Sequence, residues 1–166
     1  MVFSGCTRSL PIQKTIDDGQ AENTTGKATK PFKILFVWDM MFDRYIRQAS
    51  QKHGGYDYIF SDVENNLAQY DLVVGNLEGP ITDKSSVSVG TEMDEKKKLI
   101  FSFDPAVAKT LFENNVKLVD LGNNHILNQG VDGVVQTKKN LDEAGVEYFG
   151  DTGDGQEFII REISGN

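Results

Sequence analysis

Between residues 33 and 150, short apolar runs of strand length take turns with longer segments whose apolar residues recur at helical spacing. No other feature constrains the fold as strongly. Strands are predicted at 33–38 (KILFVW), 71–76 (DLVVGN), 116–121 (VKLVDL) and 146–150 (VEYFG), with a fifth at 157–163 (EFIIREI). Helical segments fall at 58–70, 105–115 and 131–145. Asp104 followed by Pro105 marks a helix start, because proline's fixed φ suits the first helical position, where an N–H would go unpaired. Gly145 closes the last helix. Strands separated by helices pair in parallel, and ligands of such sheets gather beyond the carboxyl ends of the strands. The chain is therefore expected to be α/β with a mainly parallel sheet.

Composition narrows the setting. With 39% hydrophobic and 25% charged residues over 166 positions, the chain suits one globular domain with a modest core. A formal net charge of -8 disfavours a non-specific grip on nucleic acid. The charged run 91–98 (TEMDEKKK) reads as a solvated loop. Cys6 cannot form an internal disulfide, as it is the single cysteine. Its context, VFSGC, looks like the end of a bacterial lipoprotein signal in which the cysteine is lipidated. Residues 7–31 are polar and without period, as in a disordered linker. The expected organisation is a truncated lipoprotein signal and linker over 1–31, then a folded domain over 32–166, placed outside the cytoplasm and anchored to the membrane through lipid on Cys6.

Three predicted strands end in polar clusters: Asp39 after the first, Asn76 and Glu78 after the second, and Asn123, Asn124 and His125 after the third. Each has an ordinary structural use. Asp39 suits a turn or a helix N-cap, the asparagines suit left-handed turn positions, Glu78 precedes Gly79-Pro80, and a lone histidine is commonly a surface or core residue. If the strands are parallel neighbours, however, all of these residues meet on one edge of the sheet. Two carboxylates, amides and an imidazole form an oxygen and nitrogen ligand set for a divalent metal of the Mn, Fe or Zn kind.

The stretches WDMMFDR (38–44), NLEGPIT (76–82), GNNHILNQG (122–130) and LDEAGVEYFG (141–150) resemble, in order and spacing, the motifs of the bacterial capsule-synthesis and poly-gamma-glutamate family of the CapA or PgsA type. That family is similar to calcineurin-like metallophosphatases. The resemblance implies half of a metallophosphatase-type α/β sandwich and a role in making capsule or poly-gamma-glutamate. It also implies metal-dependent hydrolysis or transfer, or alternatively a non-enzymatic accessory role in holding an anionic polymer or export partner, or an inactive fragment. Asp39, Glu78, Asn124 and His125 would hold the metal (Mn, Fe, Zn or Mg), with Asn124 and His125 also catalytic. Arg44, Asn76 and Asn123 would bind substrate, either an anionic polymer or a phosphoester. Membrane proteins of capsule synthesis would be the partners.

The chain departs from the family pattern in three respects. Trp38 stands where the family has glycine, Asn128 where it has aspartate, and the later histidine motifs have no counterpart, since His53 and His125 are the only histidines. The fragment reading leaves one sheet face uncovered, so self-association is expected. Along a regular strand Trp38 and Asp39 face opposite ways. Family glycine at position 38 implies instead that the backbone turns there, and on that reading Trp38 is expected to distort or occlude the site.

Overall fold

A computed structural model describes residues 30–88, 99–150, 152 and 158–162. The predicted linker up to residue 29, with Cys6, and the run 91–98 lie outside the described residues. The elements follow in the order β1 (Ile34–Met40), α1 (Arg44–Lys52), α2 (Asp57–Phe60), α3 (Glu64–Leu67), β2 (Leu72–Leu77), α4 (Ala106–Glu113), β3 (Val116–Asp120), a 3-10 turn (Ile126–Gln129), α5 (Gly130–Ala144) and β4 (Glu147–Phe149). All strand pairs are parallel and lie in the order β1-β2-β3-β4. The α/β architecture read from the alternation is thus the one observed.

A parallel sheet laid down in sequential order with right-handed crossovers places every connecting helix on the same face. The core has that form. Leu35, Val37, Val73, Leu77, Val116 and Val119 point from the strands into one cluster with Phe60 of α2, Leu67 of α3, Val107 and Leu111 of α4, and Val134 and Leu141 of α5. Phe42 sits at its centre, edge-on to Phe103 and Tyr56, with ring centroids 5.5 and 6.0 Å away. Complete burial of Leu111 or Leu141 stabilises the fold by about 2 kcal/mol each, and truncating either to alanine would cost about 3 kcal/mol with the cavity included. The opposite face of the sheet carries Ile34, Phe36, Leu72, Val74 and Leu118. Part of it lies under Phe158 and Ile159, while Phe36 stays 72% exposed. The result is one helical layer on one sheet, half of a sandwich.

Three local expectations are corrected. Residues 58–70 form two short helices, because Val63 leaves the helical region (φ -121°, ψ -9°) and the Ser61 hydroxyl bonds back to Tyr58 O at 2.9 Å. Residues 158–162, expected within a fifth strand, pair with no strand and lie along the open sheet face, where Arg161 meets Glu147. Finally, α1 has no counterpart among the predicted helices. Asp43 caps it, and its sequence RYIRQASQK is strongly polar and buries only Ser50, so it offers no apolar run to mark a helix.

Candidate functional site

The carboxyl ends of β1, β2 and β3 bring the candidate residues onto one edge. Register places Asp39 beside Asn76 and Asn76 beside Asp120. The β1–β2 register shifts between Val37 and Asp39, leaving Trp38 as the extra residue of a bulge. The alternation expected of a regular strand therefore fails here, since Trp38 and Asp39 are both exposed while Val37 and Met40 face the core. The backbone does depart from a regular strand at position 38. The indole, 91% exposed, packs on nothing in the core and does not enter the cluster.

Asn123 and Asn76 form a chain of amides whose direction is fixed by chemistry. The Asn123 amide nitrogen donates to Leu77 O at 2.8 Å, and a carbonyl only accepts, so this nitrogen is also the donor to Asn76 Oδ1 at 2.9 Å. The Asn76 nitrogen must then face the carboxylates. It donates to Asp39 Oδ1 at 2.7 Å and to Glu78 Oε2 at 2.6 Å, so one amide joins two anions. Asn123 Oδ1 in turn accepts the His125 N–H at 3.0 Å, which fixes the loop that carries the imidazole.

The tautomer of His125 follows by the same reasoning. Asn128 Oδ1 accepts the Phe101 N–H at 2.8 Å and stands 3.1 Å from His125 Nδ1, so Nδ1 carries the proton. In the neutral ring Nε2 then carries a bare lone pair, and it stands 3.7 Å from Glu78 Oε1. Both side chains are 15% exposed. The Phe101 ring lies against the imidazole, with centroids 4.3 Å apart, and the Arg44 guanidinium sits 4.8 Å from the same ring. Asn128 thus orients the imidazole as an aspartate would, though without supplying a negative charge.

Asp39, Asn76, Glu78, Asn123 and His125 therefore form one contiguous cluster, with Arg44 joined to it through Phe101. Asn124 differs: it is exposed and takes no part in this network. Sequence reading overlooked Asp43 and Phe101. Asp43 was discoverable as an aspartate directly before a helix, whereas Phe101 carried no signal.

Two ligand atoms on one divalent ion stand roughly 3–4 Å apart when each bond is about 2.1 Å, so the separation of Glu78 Oε1 and His125 Nε2 fits a shared ion. Asp39 is held off from them by the Asn76 amide. Among the described residues, no three His, Cys, Asp or Glu side chains are grouped closely enough to enclose a metal. The donor set thus fits an open, two-ligand cation site with a carboxylate nearby.

Comparison with known proteins places the chain in a family. The PGA biosynthesis protein CapA of Bacillus subtilis (strain 168) is 30% identical over 118 residues, covering 68% of this chain and 30% of that protein. The capsule biosynthesis protein CapA of Bacillus anthracis is 29% identical over 119 residues, covering 70% and 28% respectively. An uncharacterized protein of Sinorhizobium fredii, y4sH, is 29% identical over 148 residues, or 87% of this chain and 31% of its own length. The chain thus spans about 30% of the length of the relatives it matches. The bacterial capsule synthesis protein family PGA_cap matches residues 33–166, a span that includes all the strands and the whole candidate site, and the chain belongs to that family.

Proposed function

We propose that this chain takes part in the synthesis of capsule or poly-gamma-glutamate and carries a divalent-cation site that works on an anionic polymer or phosphoester. One observation supports the cation most directly. His125 Nε2, bare in the neutral ring, stands 3.7 Å from Glu78 Oε1, a pairing of electron-rich atoms that repels unless a cation or proton lies between them. Glu78 and His125 would hold the ion, and Asp39 would join them if the Asn76 amide gave way. A bound ion there would supply Lewis acidity and an activated water. The chain's own residues would do the rest: Asn123 and Asn128 fix the imidazole, and Arg44 offers a planar, permanent charge to an anionic group.

The open arrangement, with two ligands converging among the described residues, favours polymer binding over turnover as the second reading, that of a non-enzymatic accessory protein. Titration of the full chain with Mn²⁺ by calorimetry tests the site. Glu78→Gln and His125→Gln should each weaken binding by roughly tenfold or more. Unchanged affinity in both variants would remove the cation from the account. The lipid anchor on Cys6, the membrane partners and pairing of two chains through the open sheet face belong to the same proposal. For pairing, Phe36→Lys should shift the sedimentation of the chain to that of a monomer.

A further inference from the structure

Arg44 has a φ of +58°, and among the described residues only Asn115 shares a positive φ without being glycine. Asn115 suits such a conformation, since its amide donates to Leu67 O and Tyr70 O, but arginine has no such preference. The restraint on Arg44 comes from the residue before it. Asp43 is fully buried, and its Oδ1 accepts the Arg44 N–H at 2.8 Å and the Ser86 hydroxyl at 2.6 Å. Its Oδ2 accepts the Ser102 N–H at 2.9 Å, and Arg47 Nε stands 3.5 Å from Oδ1. The same short segment is held from the other side, because Phe101 gives its N–H to Asn128, the residue that orients His125. One carboxylate therefore fixes the backbone of Arg44 and, through Ser102, the ring against which both the guanidinium and the imidazole lie.

We propose that Asp43 is the positioning residue of the anion site: it holds Arg44 in a left-handed conformation and clamps Phe101–Ser102, so that the guanidinium and the His125 imidazole are presented together to one anionic group of a polymer. The side chain of Asp43, buried beneath the site, would touch neither metal nor substrate. This inference rests on the reading that Arg44 and His125 face one anion, and part of its test needs no ligand.

In the full chain, Arg44→Gly and Arg44→Ala both remove the guanidinium, so the difference between them isolates the backbone. Glycine accepts a positive φ without cost, and Arg44→Gly should melt about 3 °C above Arg44→Ala. With Asp43→Asn added, the backbone relaxes and the order reverses, since alanine is the better helix former. If Asp43→Asn does not fold, Asp43→Ser, which keeps a capping oxygen, replaces it. Alanine matching or exceeding glycine in the wild-type background overturns the proposal, as does glycine keeping its lead after Asp43 is changed. A γ-linked glutamate oligomer titrated in the presence of Mn²⁺ gives the second readout. Asp43→Asn should weaken the oligomer about tenfold by freeing Arg44, while Mn²⁺ affinity stays within about twofold because Asn123 and Asn128 still hold the imidazole; a tenfold effect equals 1.4 kcal/mol. Equal loss of both would make Asp43 a fold residue only. Wild-type protein that binds neither probe would sink the functional reading, leaving the melting order to decide whether Asp43 restrains Arg44.

Discussion

Asn76→Asp exchanges one nitrogen for oxygen at nearly constant volume, so packing contributes little and electrostatics dominates. In the wild type the amide nitrogen reaches Asp39 Oδ1 at 2.7 Å and Glu78 Oε2 at 2.6 Å. Hydrogen bonds to charged groups are worth about 1.5–3 kcal/mol each, and the substitution removes both. Two unit charges about 3 Å apart repel by about 1–5 kcal/mol for effective dielectric constants between 80 and 20. Asp39 is exposed, so solvent screens its share, whereas Glu78 is 15% exposed and keeps more of it. Relaxation of the new carboxylate toward water offsets part of the total. The net expectation is a loss of about 2–4 kcal/mol in chelator at neutral pH. Urea denaturation with EDTA and again with Mn²⁺ measures it, and the cation should restore most of the loss, because three carboxylates then share one ion. A variant within about 0.5 kcal/mol of wild type in EDTA would refute the bridging role of the amide. Failure of Mn²⁺ to restore stability would refute the cation's place beside it.

Burial pushes the Tyr56 phenol up to about 12, against an opposing pull from Arg47. A raised value stabilises the fold below the phenol's ordinary pKa of about 10, and this contribution is lost as the pH climbs toward 12. Alkaline unfolding followed by circular dichroism should therefore begin above about pH 10, and Tyr56→Phe should flatten that dependence while losing the bond to Phe42 O at 3.4 Å. Trp38→Gly should leave Mn²⁺ affinity within about twofold, because the indole is 91% exposed and outside the network; a large gain in calorimetry would show that it obstructs the site after all. If Cys6 is an anchor, the native gene product expressed in a bacterial host should be membrane-associated and incorporate labelled fatty acid at Cys6, whereas a soluble, unlabelled product would dismiss the anchor.

The sequence was most legible where periodicity and chemistry agreed. All four described strands lie at the predicted apolar runs, three of which end in polar residues, and the parallel rule places Asp39, Asn76, Glu78, Asn123 and His125 on one edge. Helix α1 was hidden because its stabilisation is tertiary. Asp43 and Arg47 tie it to Ser102, a contact across 55 or more residues that no local window contains. The bulge at Trp38 was legible only as a choice between a regular and a turned backbone, since it falls where the apolar run ends and changes the facing of Asp39 and Met40 alone within β1. Phe101 was invisible for a related reason. Its role depends on Asn128 accepting its N–H from 27 residues away, and an aromatic residue followed by Ser102 and Phe103 reads simply as core.

A divalent cation held between Glu78 and His125 is the core of the proposed function. The chain has two histidines, and His53 is stacked on Tyr58 with ring centroids 4.0 Å apart, so a proton NMR spectrum contains only two imidazoles to follow. Substoichiometric Mn²⁺, which broadens only nuclei close to it, should erase the His125 ring signals while those of His53 persist, and Glu78→Gln should abolish the effect. His125 signals that stay sharp, or that fade no faster than those of His53, would contradict the account.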